Sequence, residues 1–195
     1  PQTLIDDRRR KGLRTGQFLL LGSASIALLH QASETLAGRI ATLEMTPLQI
    51  EEVAAPGAVE RLWVRGGFPD SFLAPDDPTS FEWRHFFIRT YLERDIPDLG
   101  PRVPAETMRR LWTMLAHEQA TMLNAARIAA ALGVSGASVA RYLDLLVDLL
   151  LVRRLQPWAG RSAKRLVRSP KVQVRDSGIV HELLGLRTLD DILGH

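Results

Sequence analysis

The chain has 195 residues, of which 46% are hydrophobic and 24% charged, and both proportions are ordinary for a globular protein. The absence of cysteine excludes disulfides and thiolate metal sites and is typical of a reducing, cytoplasmic setting. No apolar run is long enough to cross a bilayer, so we expect no membrane partner, and a net charge of +3 identifies no anionic partner by itself.

The first 46 residues are predicted to be the end of a parallel α/β sheet. After a charged helix over residues 2–11, the apolar run 17–21 predicts a strand buried on both faces, and the alternating residues 40–45 predict a second strand. A short helix lies between them, and strand, helix, strand implies a parallel unit. Ligands of such sheets gather at the carboxyl ends of strands, where residues 22–25 form a Gly-Ser loop.

Residues 47–120 are predicted to be nearly all helix. Helices are expected over 47–55, with Thr46 as the cap, over 60–65, and over 79–95. Residues 69–77 are expected to be a loop. The most regular pattern is the helix 106–119, whose core-facing residues are Met108, Leu111, Trp112, Leu115 and Ala116.

Residues 124–146 predict a helix-turn-helix. Asn124 is the expected cap of a first helix that carries Ile128 and Leu132 on one face. Gly133 ends that helix, and a short turn leads to a second helix in which Val139, Leu143 and Leu146 face the same core. Two helices of this length around a Gly-containing turn are typical of the DNA-binding motif.

The residues after the second helix are strongly basic. Residues 149–175 contain eight Lys or Arg and no acid, so the rest of the chain holds 17 basic against 22 acidic residues, a net of −5. Strands predicted over 150–155 and 171–175, with a third over 165–167, form a wing around a basic tip.

Two interpretations of this region remain open. As a DNA reader, it would contact bases and phosphates through Ser135, Ser138, Arg141, Arg161, Lys164 and Arg165. As an architectural winged helix, it would only join two domains or bind a partner protein. The second helix carries one basic residue and also Asp144, which repels phosphate and favours the architectural role.

No catalytic constellation stands out in the chain. There is no GxxxxGK[ST] phosphate loop, and His181-Glu182 does not continue into an HExxH zinc motif. Asp176-Ser177-Gly178 is typical of a turn. We therefore predict neither a catalytic residue nor a metal ligand, and we expect no ATP hydrolysis by this chain alone.

Several stretches in order resemble one prokaryotic family. They are FLLLGSAS (18–25), SETLAGRI (33–40), LEMTPL (43–48), LWVRGGFP (62–69), TYLERDIP (90–97), MRRLWTMLAH (108–117), ALGVSGASVARYLDLL (131–146) and SPKVQVRDSG (169–178). The family consists of AAA-type, STAND-like ATPases with a C-terminal domain of unknown function related to PD-(D/E)xK nucleases. Where the family usually has Thr and Tyr, this chain has Leu21 and Gln173.

The resemblance implies a mostly α chain with a small α/β part, divided into four regions. Residues 1–46 would be the last strands of the ATPase core, 47–120 its helical lid and connector, 121–168 the winged helix, and 169–195 the start of the nuclease-like domain. We expect the chain, which begins with Pro rather than Met, to be a fragment without the Walker motifs and most of the C-terminal domain.

The resemblance also implies a nucleotide site in the intact protein. Ser23 would face the γ-phosphate with Ser25 behind it, and Arg39 would approach a phosphate. ATP and magnesium are expected in the intact protein and no cofactor in this chain. The expected function is that of a partial AAA-type ATPase whose ATP binding acts on the winged helix and nuclease-like module. The alternative is a non-enzymatic winged-helix DNA-binding or regulatory protein.

Overall fold

The computed structural model describes residues 2–13, 15–19, 40–41, 43–53, 55–98, 103–157 and 169–195. The chain forms two compact units, Pro1–Glu44 and Met45–His195. The described residues are mostly helical, with one small antiparallel sheet, as the sequence predicts for a mostly α chain.

The first unit begins with helix α1, Gln2–Arg10, as predicted. Arg8 folds back from this helix, with its guanidinium 4.7 Å from the ring centre of Phe18. Residues 17–19 do not form the predicted buried strand, and Phe18 and Leu19 are 48% and 78% exposed. A strand exists only where another strand pairs with it, and within the described part of this unit no second strand is present.

The described residues of the second predicted strand, 40–45, are also not a strand. Leu43 and Met45 are almost fully exposed. The helix predicted from Pro47 is wrong as well, because the segment contains only a 3₁₀ turn, Ile50–Glu52. The N–H of Leu48 donates to the carbonyl of Gly67 at 2.8 Å, so this segment is held in an extended form by another part of the chain.

Three helices follow the 3₁₀ turn. Helix α2, Ala58–Arg65, is close to its predicted bounds. Helix α3, Pro69–Phe72, lies in the predicted loop, because Pro69 at its first position has the φ that a helix needs. Helix α4, Asp77–Thr90, begins two residues before its predicted start and is capped by Asp76. It continues through a π-helical turn, Tyr91–Asp95, and a short helical segment, Ile96–Asp98.

The predicted amphipathic helix is present, and so are the two helices and the Gly-containing turn predicted over residues 124–146. Helix α5, Ala105–His117, buries all five residues predicted for its core face. Helix α6, Ala125–Leu132, begins at Asn124 and buries Ile128 and Leu132. Helix α7, Gly136–Asp148, buries the three predicted residues and also Leu145. The axes of α6 and α7 differ by 103°.

Two antiparallel strands lie on either side of the predicted wing tip. Strand β1, Val152–Leu155, pairs with strand β2, Lys171–Val174, with Val152 opposite Val174. An isolated bridge joins Met122 to Lys171 on the other side of β2. The predicted strand 165–167 lies outside the described residues.

The chain ends in helices α8, Ser177–Leu184, and α9, Leu189–Gly194. Helix α8 packs against α2, α4 and α5, so it belongs to the same compact unit as the helical region and the helix-turn-helix. Residues on both sides of the predicted boundary at 168 therefore share one unit, and the division into four domains stays a prediction. Among the described residues, no single helix is long and apolar enough to span a membrane.

Candidate functional site

The helix-turn-helix is fixed by caps at both of its helices. The Asn124 side chain accepts a hydrogen bond from the N–H of Arg127, and Gly133 ends α6 with a left-handed φ of 67°. Ser135 then begins α7 and accepts a hydrogen bond from the N–H of Ser138. The sequence forms this motif through these local bonds and through the apolar face that both helices bury together.

The structure brings together three of the predicted DNA contacts. Ser135, Ser138 and Arg141 lie at the start of α7, with the two hydroxyls 3.0 Å apart and the Arg141 guanidinium 3.5 Å from the Ser138 hydroxyl. The Ser135 hydroxyl is engaged as the helix cap, so Arg141, which is exposed, is the most available group of the three. The predicted wing-tip contacts Arg161, Lys164 and Arg165 lie outside the described residues.

Asp144, on the exposed face of α7, forms an ion pair with an arginine of β1. Arg154 of β1 donates to Asp144 at 2.6 Å, and the Arg154 side chain is 26% exposed. This ion pair offsets the repulsion that Asp144 alone would exert on a phosphate. It also removes Arg154 from the set of free cations near the helix.

The residues implied for nucleotide contact, Ser23, Ser25 and Arg39, lie outside the described residues. Their roles therefore stay predictions. In the part of the chain that the structure describes, no group of three or more His, Cys, Asp or Glu side chains could hold a metal ion.

A second candidate region is the polar junction, which we define as Gly66, Gly67 and Asp176 with their hydrogen bonds. The Asp176 carboxylate accepts from the N–H of Gly67 at 2.7 Å and from the N–H of Ile179 at 2.9 Å. Asp176 is thus both the cap of α8 and the contact between β2 and the turn after α2. The turn predicted at Asp176-Ser177-Gly178 is wrong, because Ser177 and Gly178 begin α8, and the contact of Asp176 across the fold was not predicted.

Both positions of the polar junction require glycine because other parts of the chain lie too close for a side chain. Gly66 has a φ of 78°, and a Cβ there would overlap the Asp176 carboxylate. A Cβ on Gly67 would lie 2.5 Å from the carbonyl oxygen of Leu48. The two glycines therefore let Asp176 approach from one side and the extended segment around Leu48 from the other.

A buried charged network surrounds the polar junction. Arg84 of α4 is 1% exposed, and it donates to the carbonyl of Val64 at 3.1 Å and to the Ser80 hydroxyl at 3.2 Å. Burial lowers the pKa of Arg84 to about 10, while the carboxylates of Asp176 and Glu182 oppose that shift. Burial raises the pKa of Asp176, and the N–H groups of Gly67 and Ile179 act in the opposite direction.

Helix α8 contributes two more buried polar residues that the sequence analysis missed. His181 contacts the carbonyl of Val64 through Nδ1 at 3.0 Å, and burial lowers the pKa of its imidazole. Glu182 accepts from Arg109 of α5 at 3.0 Å and pairs with Nδ1 of His85 of α4 at 2.8 Å. These contacts join α8 to α2, α4 and α5. The available sequence signal was the position of both residues among apolar neighbours in Gly-Ile-Val-His-Glu-Leu-Leu.

A polar groove of about 460 Å³ opens beside the polar junction. One wall is the segment 46–50, and the other includes Gln119, Val174 and Arg175. Arg153 of β1 also lines it. Its lining combines glutamine and arginine residues with apolar residues that include Leu48, Ile50 and Leu62.

Residues 57–190 match a family described as a domain of unknown function, DUF8612, and the chain belongs to this family. Residues 2–54 match a family described as an AAA domain. Together the matches describe an AAA-type protein with a domain of unknown function, which confirms that part of the predicted resemblance.

Two curated relatives are similar over most of this chain. Uncharacterized protein Rv2008c of Mycobacterium tuberculosis and Uncharacterized protein Mb2031c of Mycobacterium bovis are each 48% identical over 170 residues, which is 87% of this chain. The match covers 38% of each relative, so the chain spans less than two thirds of their length. No solved structure matches the chain.

Proposed function

We propose that the protein containing this chain binds ATP through an AAA-type core and uses the nucleotide state to position a winged helix-turn-helix on DNA or on a partner protein. The observation that carries this proposal is the position of Gly67. Its N–H donates to Asp176 at the end of β2, and its carbonyl accepts from Leu48. Leu48 lies within the AAA match, and Asp176 follows the last strand of the wing.

The coupling follows from these two hydrogen bonds. A change in the AAA core that pulls on residues 46–50 acts on Gly67 and through it on Asp176 and β2. Leu48 also packs with Leu62 against the buried cluster of Val53, Ala58 and Phe72, so the segment is held by apolar contacts too. In a protein that combines this chain with a phosphate-binding loop, ATP should change amide hydrogen exchange over 46–50 and 171–177. Unchanged exchange in both segments would contradict the coupling.

The nucleotide site is proposed to use Ser23, Ser25 and Arg39 with ATP and magnesium. No GxxxxGK[ST] loop occurs in these 195 residues, so the proposal requires such a loop elsewhere in the protein. The test is the reading frame upstream of codon 1, where we expect this loop; its absence from the whole protein would refute ATP binding of this type. The chain alone should show no rise in melting temperature with magnesium-ATP.

The winged-helix assignment is supported by the order of elements around α6 and α7. Helix α5, the bridge at Met122, the two helices and the two antiparallel strands occur in sequence within one unit. The alternative function, a non-enzymatic DNA-binding or regulatory protein, uses the same elements without ATP. In both cases the wing cations would neutralise phosphates, so binding should weaken steeply with salt.

Fluorescence anisotropy with a 20-base-pair duplex tests the DNA interpretation. We expect affinity to fall with salt and to drop about tenfold in Arg161→Ala with Arg165→Ala, because two phosphate contacts are lost. The matched control is Arg89→Ala with Arg94→Ala, two exposed arginines of the α4 region that pair with Glu93 and Asp95. If the duplex does not bind, or binds with an affinity independent of salt, the DNA interpretation is wrong and the region only joins domains.

A relation to PD-(D/E)xK nucleases is also proposed for the part of the protein that begins near residue 169. Its test is metal-dependent cleavage of duplex DNA by the whole protein. Without cleavage or a PD-(D/E)xK motif after residue 195, this part of the proposal fails.

A further inference from the structure

The β2 strand is paired along one edge by backbone and, at one position, by a side chain. The N–H of Ala120 donates to the carbonyl of Val172 at 3.0 Å, and the N–H of Val172 donates to the carbonyl of Thr121 at 3.3 Å. Two residues further along β2, the partner changes. Gln119 accepts from the N–H of Val174 at 2.8 Å and donates to its carbonyl at 3.1 Å.

The Gln119 amide therefore stands where the backbone of another strand would continue. A primary amide has one carbonyl and N–H donors, so it satisfies both groups of Val174 as a paired strand does. The backbone itself cannot do so, because the chain before Gln119 turns into α5, which ends at His117. Because the Gln119 side chain makes the same two hydrogen bonds that a neighbouring strand would make, a strand can take its place.

The space for such a strand is the polar groove. Its walls include Gln119 and Val174 on the β2 side and the segment 46–50 on the other. The groove has a volume of about 460 Å³. The groove lining thus includes both residues that pair at this edge, Gln119 and Val174.

The charge of the groove selects the kind of chain. Arg153 and Arg175 line it, and Arg153 is exposed with no ion-pair partner among the described residues. The one acid in the lining, Asp176, is engaged by the N–H groups of Gly67 and Ile179. An occupant with carboxylates is favoured by this field, and a basic one is repelled.

We propose that the polar groove binds an acidic peptide segment in extended conformation, which displaces Gln119 and pairs with the backbone of Val174. Such binding by strand addition takes its affinity from main-chain hydrogen bonds and its preference from side-chain charge. The proposal does not depend on ATP binding or on DNA binding by the helix-turn-helix, because it rests on the edge of β2.

Fluorescence polarisation with a labelled peptide of four alternating Glu-Val pairs tests this proposal on the 195-residue chain. We expect saturable binding that is weakened at least tenfold by Arg153→Glu and little changed by Arg110→Glu, a matched change on α5 away from the groove. Gln119→Ala should bind about tenfold more tightly, because the peptide no longer competes with the side chain. Circular dichroism and thermal melting establish that each variant is folded.

Two further probes separate strand pairing from charge attraction. The same peptide with N-methyl groups at alternate residues keeps its charge and loses its main-chain donors, so it should bind at least tenfold more weakly. In Gln119→Ala, the Val174 amide should exchange faster in the free protein and slow again with peptide. Equal binding of the methylated peptide overturns the proposal. The proposal is also overturned if the peptide does not bind while a 20-base-pair duplex does, with an affinity that Arg153→Glu lowers. In that case the groove cations bind nucleic acid.

Discussion

Replacing Asp176 by alanine tests the polar junction as a structural connection between β2 and the turn after α2. The variant loses the cap of α8, which is typically about 1 kcal/mol. It also leaves the Gly67 N–H without its partner, at about 1–3 kcal/mol for a buried donor. Arg84 loses one of the two buried carboxylates that favour its charge. We therefore expect a total loss of about 3–5 kcal/mol in the free energy of unfolding.

Urea titration followed by tryptophan fluorescence measures this loss, because Trp112 is fully buried in the same unit. With a urea dependence of about 2 kcal/mol per molar, the midpoint should fall by about 2 M. The matched control is Asn124→Ala, which removes a cap with one backbone hydrogen bond from an exposed residue and should cost about 1 kcal/mol. Equal losses in the two variants would mean that Asp176 acts only as a cap and would refute the junction.

Three further predictions follow from neighbouring contacts. Gly178→Ala should destabilise by about 3 kcal/mol in the same titration, because its Cβ would overlap the carbonyl of Arg65; Gly136→Ala, where a Cβ meets open space, should not. Burial lowers the pKa of His181, so the folded state favours the neutral imidazole. The stability that the neutral imidazole contributes is full above pH 6.5 and is lost as the pH falls toward the folded pKa. His181→Gln should therefore reduce the loss of unfolding free energy between pH 7.5 and 5. If α7 faces DNA, Asp144→Asn should raise duplex affinity about threefold at low salt, and an unchanged affinity would argue against that face.

Helix α5 shows which features the sequence specifies by itself. Its five core-facing residues were predicted correctly because the 3.6-residue repeat is a property of one helix and of its own apolar face. The caps at Asn124 and Gly133 were predicted for a similar reason, since a cap bonds to residues within one turn of it. Local signals of this kind do not depend on the rest of the chain.

The described residues of the strands expected over 17–21 and 40–45 show the opposite case. Their apolar and alternating patterns fit a strand, but a strand also requires a partner that local pattern does not reveal. The segment after Pro47 was predicted to be helical from its cap signals, yet the N–H of Leu48 donates a hydrogen bond to the carbonyl of Gly67. A contact between distant segments decided the conformation there.

The polar junction and its network were missed because the sequence places their members on separate helices. Arg84 and Glu182 each lie among mostly apolar or aromatic neighbours, but the sequence does not show which groups on other helices satisfy a charge buried there. The double glycine at 66–67 was the informative signal, since it permits the backbone to be approached closely by another group. The sequence alone does not say that the approaching group is Asp176.

The hydrogen bond from Gly67 to Asp176 joins residues 109 positions apart. During synthesis at about 5–20 residues per second, roughly 5–20 s pass between the appearance of the glycine and that of its partner. Helices α3 to α7 and both strands are made in that interval, whereas α8, which packs against α2, α4 and α5, follows Asp176. The contacts of Leu48 with Gly67 and with the cluster of Val53, Ala58 and Phe72 lie within residues 48–72 and can form early. The bond from Gly67 to Asp176 forms only after β2 has been made, so the junction between the two ends of this unit is completed late.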